Sequence, residues 1–411
     1  MRILLVQETD WFEKGPLQQN HLMEKLSSRG HEVRVIDHEI LWRTHRGNGL
    51  WSKRKTFDKV SKLYPGSCVS VIRPGIIRIP TLDYLSILFS RRKEITRQIK
   101  EYKPDVIIGF QILTPYLASS LAKKHRIPFV YYWTDVYHSQ IPFKPYRLLG
   151  RFIENLIIRN TDVTLAINEK LKDYTIRLGA SPEKCLVLKG TVDVSRFNQD
   201  IVSTKIREKL NIGKNDFVIC FVGLFHKLLA LNEVLISIAG CSDQTVKLLL
   251  VGEGDQHAPN KVEELKRLAA DFNVQNRVII TGRRPYNEIP DLIGVSNVCI
   301  FPSHRAEMMN HIVPIKMYEY MAMQKPVIAT DLIGIKTEFG FDNGVIFVDS
   351  PEQIVPKALE IRSLALTSSM GIKARNFVEQ NSWEKVTSDF EKILSNLIQS
   401  DSNNIVDGHN K

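Results

Sequence analysis

The chain has 411 residues, 43% of them hydrophobic and 25% charged, with a formal net charge of +11. That length is too great for one compact core and fits two domains of roughly 200 residues each. The composition excludes a disordered or fibrous chain, and no run reaches the ~18 uninterrupted apolar residues that a membrane span requires.

In chain order, MRILLVQE opens directly on a strand pattern without the n-region, h-region and cleavage site of a signal peptide, so a cytoplasmic protein is expected. Apolar strands then alternate with helical patterns in a βαβ rhythm, the signature of a parallel sheet covered on both faces. The strands of the first half read Ile3 to Gln7, Val33 to Asp37, Val106 to Phe110, Phe129 to Trp133, Val163 to Ile167 and Leu186 to Leu188. After Asn198 the rhythm restarts, with strands at Val218 to Val222, Lys247 to Val251, Val278 to Thr281, Val298 to Phe301, Val327 to Ala329 and Val345 to Val348. Helices are expected to begin near Leu231, Lys261, Tyr286 and Ile315. The expected fold is therefore α/β, two Rossmann-like doubly wound domains facing across a cleft: residues 1–198, then 199–380, a closing helix over 381–400 returning to the first domain, and a frayed polar tail at 401–411. Ligands of such sheets bind beyond the carboxyl ends of the strands.

Charge divides unevenly between the halves. Residues 1–198 hold 33 Lys and Arg against 19 Asp and Glu, whereas the remainder holds 23 against 26. From Arg43 to Lys103 there are 15 basic and 4 acidic residues, interleaved with Trp51, Phe57, Tyr64, Tyr84 and Phe89. Nucleic acid and an anionic membrane attract such a patch through the same Coulomb term. Leu85, Leu88, Ile95, Ile99 and Tyr102 fall at helical spacing with Arg91, Arg92, Lys93, Arg97 and Lys100 at the other positions, a basic amphipathic pattern that favours a membrane surface or a helix packed on the sheet over nucleic acid. The five cysteines, Cys68, Cys185, Cys220, Cys241 and Cys299, lie far apart without a Cys-x-x-Cys, which argues against a zinc site and a disulfide framework.

The segment PIKMYEYMAMQKPVIAT, Pro314 to Thr330, places a short helix carrying Glu319 before an apolar strand, with Lys316 in its first turn. The unpaired amides of a helix start carry about half a positive charge and suit a pyrophosphate, while a carboxylate one turn on suits ribose hydroxyls. A plain amphipathic helix before a buried strand fits the same residues. In the first half, Asp135 and His138 follow the strand FVYYWTD, and a carboxylate beside an imidazole can bind or deprotonate a hydroxyl near neutral pH. A helix cap and a surface imidazole are the structural alternatives. No Gly-x-Ser-x-Gly element, P-loop lysine or metal-ligand cluster appears, which disfavours hydrolase, kinase and zinc chemistry.

Together with FVGLFHKLLALNEVLISIAG, KLLLVGEGDQ and VIITGRRPYNEIPDLIGVSNVCIFPS, the Pro314 segment resembles the retaining family-4 glycosyltransferases in order and spacing. RGHEVRVID, KPDVIIG, TDVYHS, LGASPEKCLVLKGTVDVSRF and SWEKVTSDFEKI extend the resemblance, more loosely, to nearly the whole chain. It implies the GT-B fold, a nucleoside diphosphate sugar held by the second domain, an acceptor held by the first, and neither metal nor other cofactor. Carried onto this sequence, it implies donor contacts at Gly15, Gly223, Lys227, Gly252, Gly254, Gly282 and Arg283 and along the helix entry His311, Ile312, Val313, Pro314 and Ile315. Lys316 would pair with the diphosphate and Glu319 with ribose, while Asp135 and His138 would serve the acceptor.

This chain departs from the family pattern in three places. The first glutamate of the family's Glu-x7-Glu pair falls at His311, and the usual phosphate-binding arginine and Lys-Gly fall at Leu224, Leu229 and Ala230. His226 and Lys227 lie in the same loop and could take over by a shifted register. The expected function is transfer of a sugar to a lipid-linked or cell-surface glycan by a cytoplasmic enzyme peripheral on the inner face of the membrane. A catalytically degenerate binding subunit and a sugar-nucleotide epimerase stand as alternatives, and a dinucleotide-dependent dehydrogenase is disfavoured because no Gly-x-Gly-x-x-Gly follows the first strand.

Overall fold

A computed structural model describes residues 1–13, 16–39, 49–79, 82–141, 143–201, 205–255, 258–306, 309–310 and 312–408. The chain divides into two compact units, Met1–Gly190 with Trp383–Lys411, and Thr191–Ser382. Residues 191–198, which the sequence reading gave to the first domain, thus lie in the second unit.

The first unit is built on a sheet of eight strands: β1 (Arg2–Val6), β2 (Glu32–Ile36), β3 (Lys55–Val60), β4 (Val69–Arg73), β5 (Val106–Gly109), β6 (Phe129–Trp133), β7 (Val163–Ala166) and β8 (Cys185–Val187). Their spatial order is β3-β4-β2-β1-β5-β6-β7-β8. Only the β3–β4 pair is antiparallel, with a register shift between Phe57 and Val60. The central strands are apolar throughout because helices cover both faces, the condition a parallel sheet imposes. β3 and β4 lie inside the basic stretch and were not anticipated. An edge strand with solvated side chains carries the polar composition of a loop, and β3 is largely exposed along its length.

The helix Leu82–Glu101 packs on its unit, one of the two readings its sequence allowed. Ile95, Ile99 and Tyr102 at its end are buried in the core of this unit, and Arg91 is fully buried, donating to the Asp37 carbonyl and to His38 Nδ1. Its apolar stripe therefore serves the sheet. The helix Trp383–Gly408 packs Trp383, Phe390 and Leu394 into the same core. It runs on through 401–408, where a frayed tail was expected; once a helix is nucleated, each further residue adds a hydrogen bond at little cost.

The second unit carries β9 (Phe217–Val222), β10 (Val246–Val251), β11 (Val278–Ile280), β12 (Val298–Phe301), β13 (Val327–Thr330) and β14 (Val345–Val348), all parallel, in the order β11-β10-β9-β12-β13-β14. The order reverses between β9 and β12, so the loops leaving these strands run to opposite faces and open a crevice at their carboxyl ends. Helices Leu231–Gly240, Lys261–Asp271 and Ile315–Ala322 begin where the sequence places them; at Tyr286 a single 3-10 turn precedes the helix Ile289–Gly294.

Candidate functional site

Three glycines stand at the carboxyl ends of three adjacent strands of the second unit. Gly223 follows β9 with φ +136°, Gly252 follows β10 with φ +149°, and Gly282 comes after β11 with φ +70°. The close approach at the first two requires glycine. A Cβ at Gly252 would strike the Gly223 carbonyl, and one at Gly223 would coincide with the Lys316 ammonium. Gly254, which bridges to Phe225, has no room for a Cβ against the Ala258 carbonyl.

Lys316 reaches this floor from the first turn of the helix Ile315–Ala322, whose amides no side chain caps. Its Nζ lies 4.4 Å from the Phe221 ring centre and 5.9 Å from that of Phe301, the aromatic residues near the ends of β9 and β12. Burial among these rings pushes the Lys316 pKa down to about 8, opposed by the charge of Glu319 one turn along. Such an ammonium is desolvated in advance, and an anion brought to it meets a charge that water screens little.

Glu319 is buried and accepts the Tyr286 hydroxyl at 3.0 Å. Burial pushes its carboxyl up to about 7, against the Tyr286 hydrogen bond and the charge of Lys316. Tyr286 is itself braced: its ring stands edge-on to Phe197 at 5.7 Å, with the Arg196 guanidinium 5.3 Å away. The TVDVSRF segment thereby supports the carboxylate from behind. Arg375 ties that segment to the helix by donating to the carbonyls of Val194, Phe197 and Ala322, and Tyr320 Oη accepts the Val222 amide at 2.8 Å to lock the helix to β9. Sequence reasoning missed Arg375 and Tyr320, which bind backbone carbonyls and an amide rather than a recognisable partner.

The remaining donor-side candidates fall around this centre. Ile312, Val313, Pro314 and Ile315 form the half-buried entry to the helix. Arg283 is exposed, 3.8 Å from Glu253. Lys227 is exposed, while His226 is held by the Leu228 amide on Nδ1 and lies 3.6 Å from Asp255, which weakens it as a free phosphate ligand. Leu229 and Ala230 are core residues and Leu224 is half exposed, so the positions that would carry phosphate-binding cations are apolar in the fold as well as in the sequence. Gly15 and His311 lie outside the described residues.

In the first unit, Asp135 and His138 follow β6 as expected, but His138 does not take its carboxylate from Asp135. Its Nδ1 is 2.6 Å from Glu154 Oε2 and its backbone amide donates to Glu154 Oε1 at 3.0 Å, while Nε2 lies 3.4 Å from the Tyr174 hydroxyl. Asp135 Oδ1 accepts the adjacent Val136 amide. Glu154 is fully buried, and burial pushes its carboxyl upward against the pull of His138. It projects from the helix Lys144–Arg159, which comes close because Gly150 has no side chain to strike His138 and Ile141. Glu154 was missed because it is sixteen residues away across a turn.

The loop after β1, which leads to Gly15, is fixed by a buried network that sequence reasoning also missed. Arg73 binds both Asp10 and Asp37, Asp37 accepts the Trp11 amide, Asp10 accepts the amides of Phe12 and Glu13, and Lys62 donates to the Trp11 and Phe12 carbonyls. Each charged member is hydrogen-bonded, as buried charge requires, although Asp10 is engaged through Oδ1 alone.

The chain is similar to known proteins. The family model described as Glycosyltransferase Family 4 matches residues 20–196, and that described as Glycosyl transferases group 1 matches residues 216–363. TuaC of Bacillus subtilis (strain 168), provisionally named a teichuronic acid biosynthesis glycosyltransferase, is 22% identical over 267 residues, 64% of this chain and 62% of that protein. The D-inositol 3-phosphate glycosyltransferase of Xylanimonas cellulosilytica is 26% identical over 212 residues, 50% and 49% of the two chains. The chain thus spans about half to three-fifths of the length of these curated relatives. Anabaena Alr3699/HepE, solved in complex with UDP and glucose, shares the fold with a TM-score of 0.72 at 18% identity, over 96% of this chain and 99% of that one.

Proposed function

Because the chain belongs to the family-4, group 1 glycosyltransferases, we propose that it moves a sugar from a nucleoside diphosphate donor to a hydroxyl of a growing glycan. The observation that carries this reading is the Lys316 ammonium lodged against Gly223 with Glu319 one turn along the same helix. Such a floor suits a diphosphate, with ribose against the carboxylate. As the glycosidic bond lengthens, negative charge grows on the departing diphosphate, and Lys316 with the uncapped amides of its helix stabilises it where it develops. His138, oriented by Glu154, is the group of the first unit suited to meet the acceptor hydroxyl. Retention of configuration and metal independence follow the family resemblance. The family's biosynthetic relatives and the positive charge of residues 1–198 support an acceptor held at an anionic membrane surface. Among the described residues no helix is long and apolar enough to cross a membrane.

Thermal-shift measurements against UDP, GDP, ADP and their sugars test the reading without knowledge of the acceptor. A ligand at a hundredfold over its Kd adds about 2.7 kcal/mol to the folded state, and Lys316→Met should abolish the shift. No shift with any nucleoside diphosphate at millimolar concentration would overturn it. A second reading, a sugar-nucleotide binding protein without turnover, is favoured by one observation: Leu229 fills core space where the family carries a phosphate-binding lysine. Slow donor hydrolysis that disappears in Glu319→Ala would exclude that second reading.

A further inference from the structure

The first half of the helix Lys144–Arg159 presents an apolar face outward. Phe143, Tyr146, Leu148, Leu149 and Phe152 are between 54% and 73% exposed, five large hydrophobic residues within ten positions. At 3.6 residues per turn, Leu148, Leu149 and Phe152 fall on the arc opposite Gly150, Glu154, Ile157 and Ile158, which are buried against the unit, and Tyr146 stands exposed beside that arc. A surface helix ordinarily turns polar residues to that side. Lys144 and Arg151 flank this arc on one side with Arg147 beyond them, and no acidic residue occurs from Phe143 to Ile153. Phe143 and Tyr146 already contact each other edge to face at 5.0 Å, so the patch is contiguous at its leading end.

We propose that this face is a membrane-docking surface whose occupant is an anionic lipid bilayer, into whose headgroup region Phe143, Leu148, Leu149 and Phe152 insert while Lys144 and Arg151 engage lipid phosphates; Arg147, beyond them, donates through Nε to the Ile141 carbonyl. Charge selects this occupant. An apolar face flanked along the helix by cations and by no carboxylate from Phe143 to Ile153 is complementary to an anionic interface, where burial of apolar area and Coulomb attraction add, whereas a second copy of the same face would set like charges against each other. The location has a consequence for the site. The docking helix supplies Glu154, which holds His138, so a helix lying on the bilayer carries the acceptor-side imidazole with it. This inference rests on the proposed reading of a membrane-held acceptor and assigns the contact to this helix, since Ile95 and Ile99 of the helix Leu82–Glu101 are buried in the core.

Sedimentation of the full chain with sucrose-loaded vesicles tests it, comparing phosphatidylcholine alone with phosphatidylcholine containing phosphatidylglycerol. Binding is expected to the anionic vesicles, to weaken with added salt, and to fall roughly tenfold or more in the double variant Leu148→Glu with Phe152→Glu. Phe341→Glu, a substitution of a residue 69% exposed in the second unit, should leave binding intact. Far-UV circular dichroism and the thermal shift with UDP, measured without vesicles, report folding and the donor site separately, so loss of the lipid surface and failure of the donor reading give different results. Absence of wild-type binding at low salt, equal binding by the double variant, equal loss in Phe341→Glu, or a concentration-dependent dimer abolished by the double variant would each overturn the proposal.

Discussion

In the proposed reading donor recognition turns on Lys316 and Glu319, and burial has moved both toward neutrality. Glu319 is pushed up to about 7, so it is an ionised acceptor for ribose hydroxyls only above that pH; Lys316 is pushed down to about 8, so it is a cation for diphosphate only below that pH. Donor affinity should therefore peak between about 7 and 8 and fall on either side. Calorimetric titration with UDP across pH 5.5 to 9.5 checks this, with Glu319→Gln flattening the acid limb and Lys316→Met the alkaline one. Gly223→Ala should weaken UDP binding, because the new methyl would clash with the Lys316 ammonium and displace it, at a φ of +136° that an alanine adopts only under strain. At the other end of the chemistry, Glu154→Gln should lower kcat by roughly 10², with donor KM unchanged. A double variant with His138→Asn should be no worse than His138→Asn alone, as expected of residues acting as a unit. The pairing of Glu319 and Lys316 on one helix could be read from sequence because they are three residues apart; Glu154 could not, because its partner is reached through space.

The helix Ile315–Ala322 does more than present two side chains. Its start aims uncapped amides at the crevice, Tyr320 fixes it to β9, and Arg375 clamps its last turn to the segment that braces Tyr286. Arg375→Ala removes donors from three carbonyls at once and should cost about 1–3 kcal/mol, read as a lower urea midpoint, and should weaken donor binding by loosening Glu319. Central strands were legible to within a residue or two, since both faces are covered and their apolar runs are unbroken; β12 and β14 match at both ends. β3 was missed because, at the sheet edge and largely exposed, its lysines read as part of a basic patch. In the helix Leu82–Glu101 the fold selects between two readings the sequence left open. Its basic amphipathic pattern is real, yet one of its arginines faces inward to a carbonyl and its stripe faces the sheet.

At the scale of the molecule, each unit encloses its own apolar core, and the first is completed by the chain's last helix. Phe390 is fully buried there, and Phe390→Ala should destabilise that unit by about 3–5 kcal/mol while leaving UDP binding by the second unit in place, a separation that calorimetric scanning with and without UDP resolves. Length and the repeated βαβ rhythm were enough to determine two doubly wound sheets, because backbone period is a local property, while the family was carried by the resemblance of several motif segments and the strand ends remained the place where such sheets bind ligands. Only the tertiary structure decided that Glu154 partners His138, that Arg375 and Tyr286 support Glu319, that Arg73 closes a buried network, and which amphipathic helix keeps its apolar face in solvent. Those depend on desolvation and on contacts between distant segments, and a pattern along the chain records which residues are apolar but not which side of them the rest of the protein will cover.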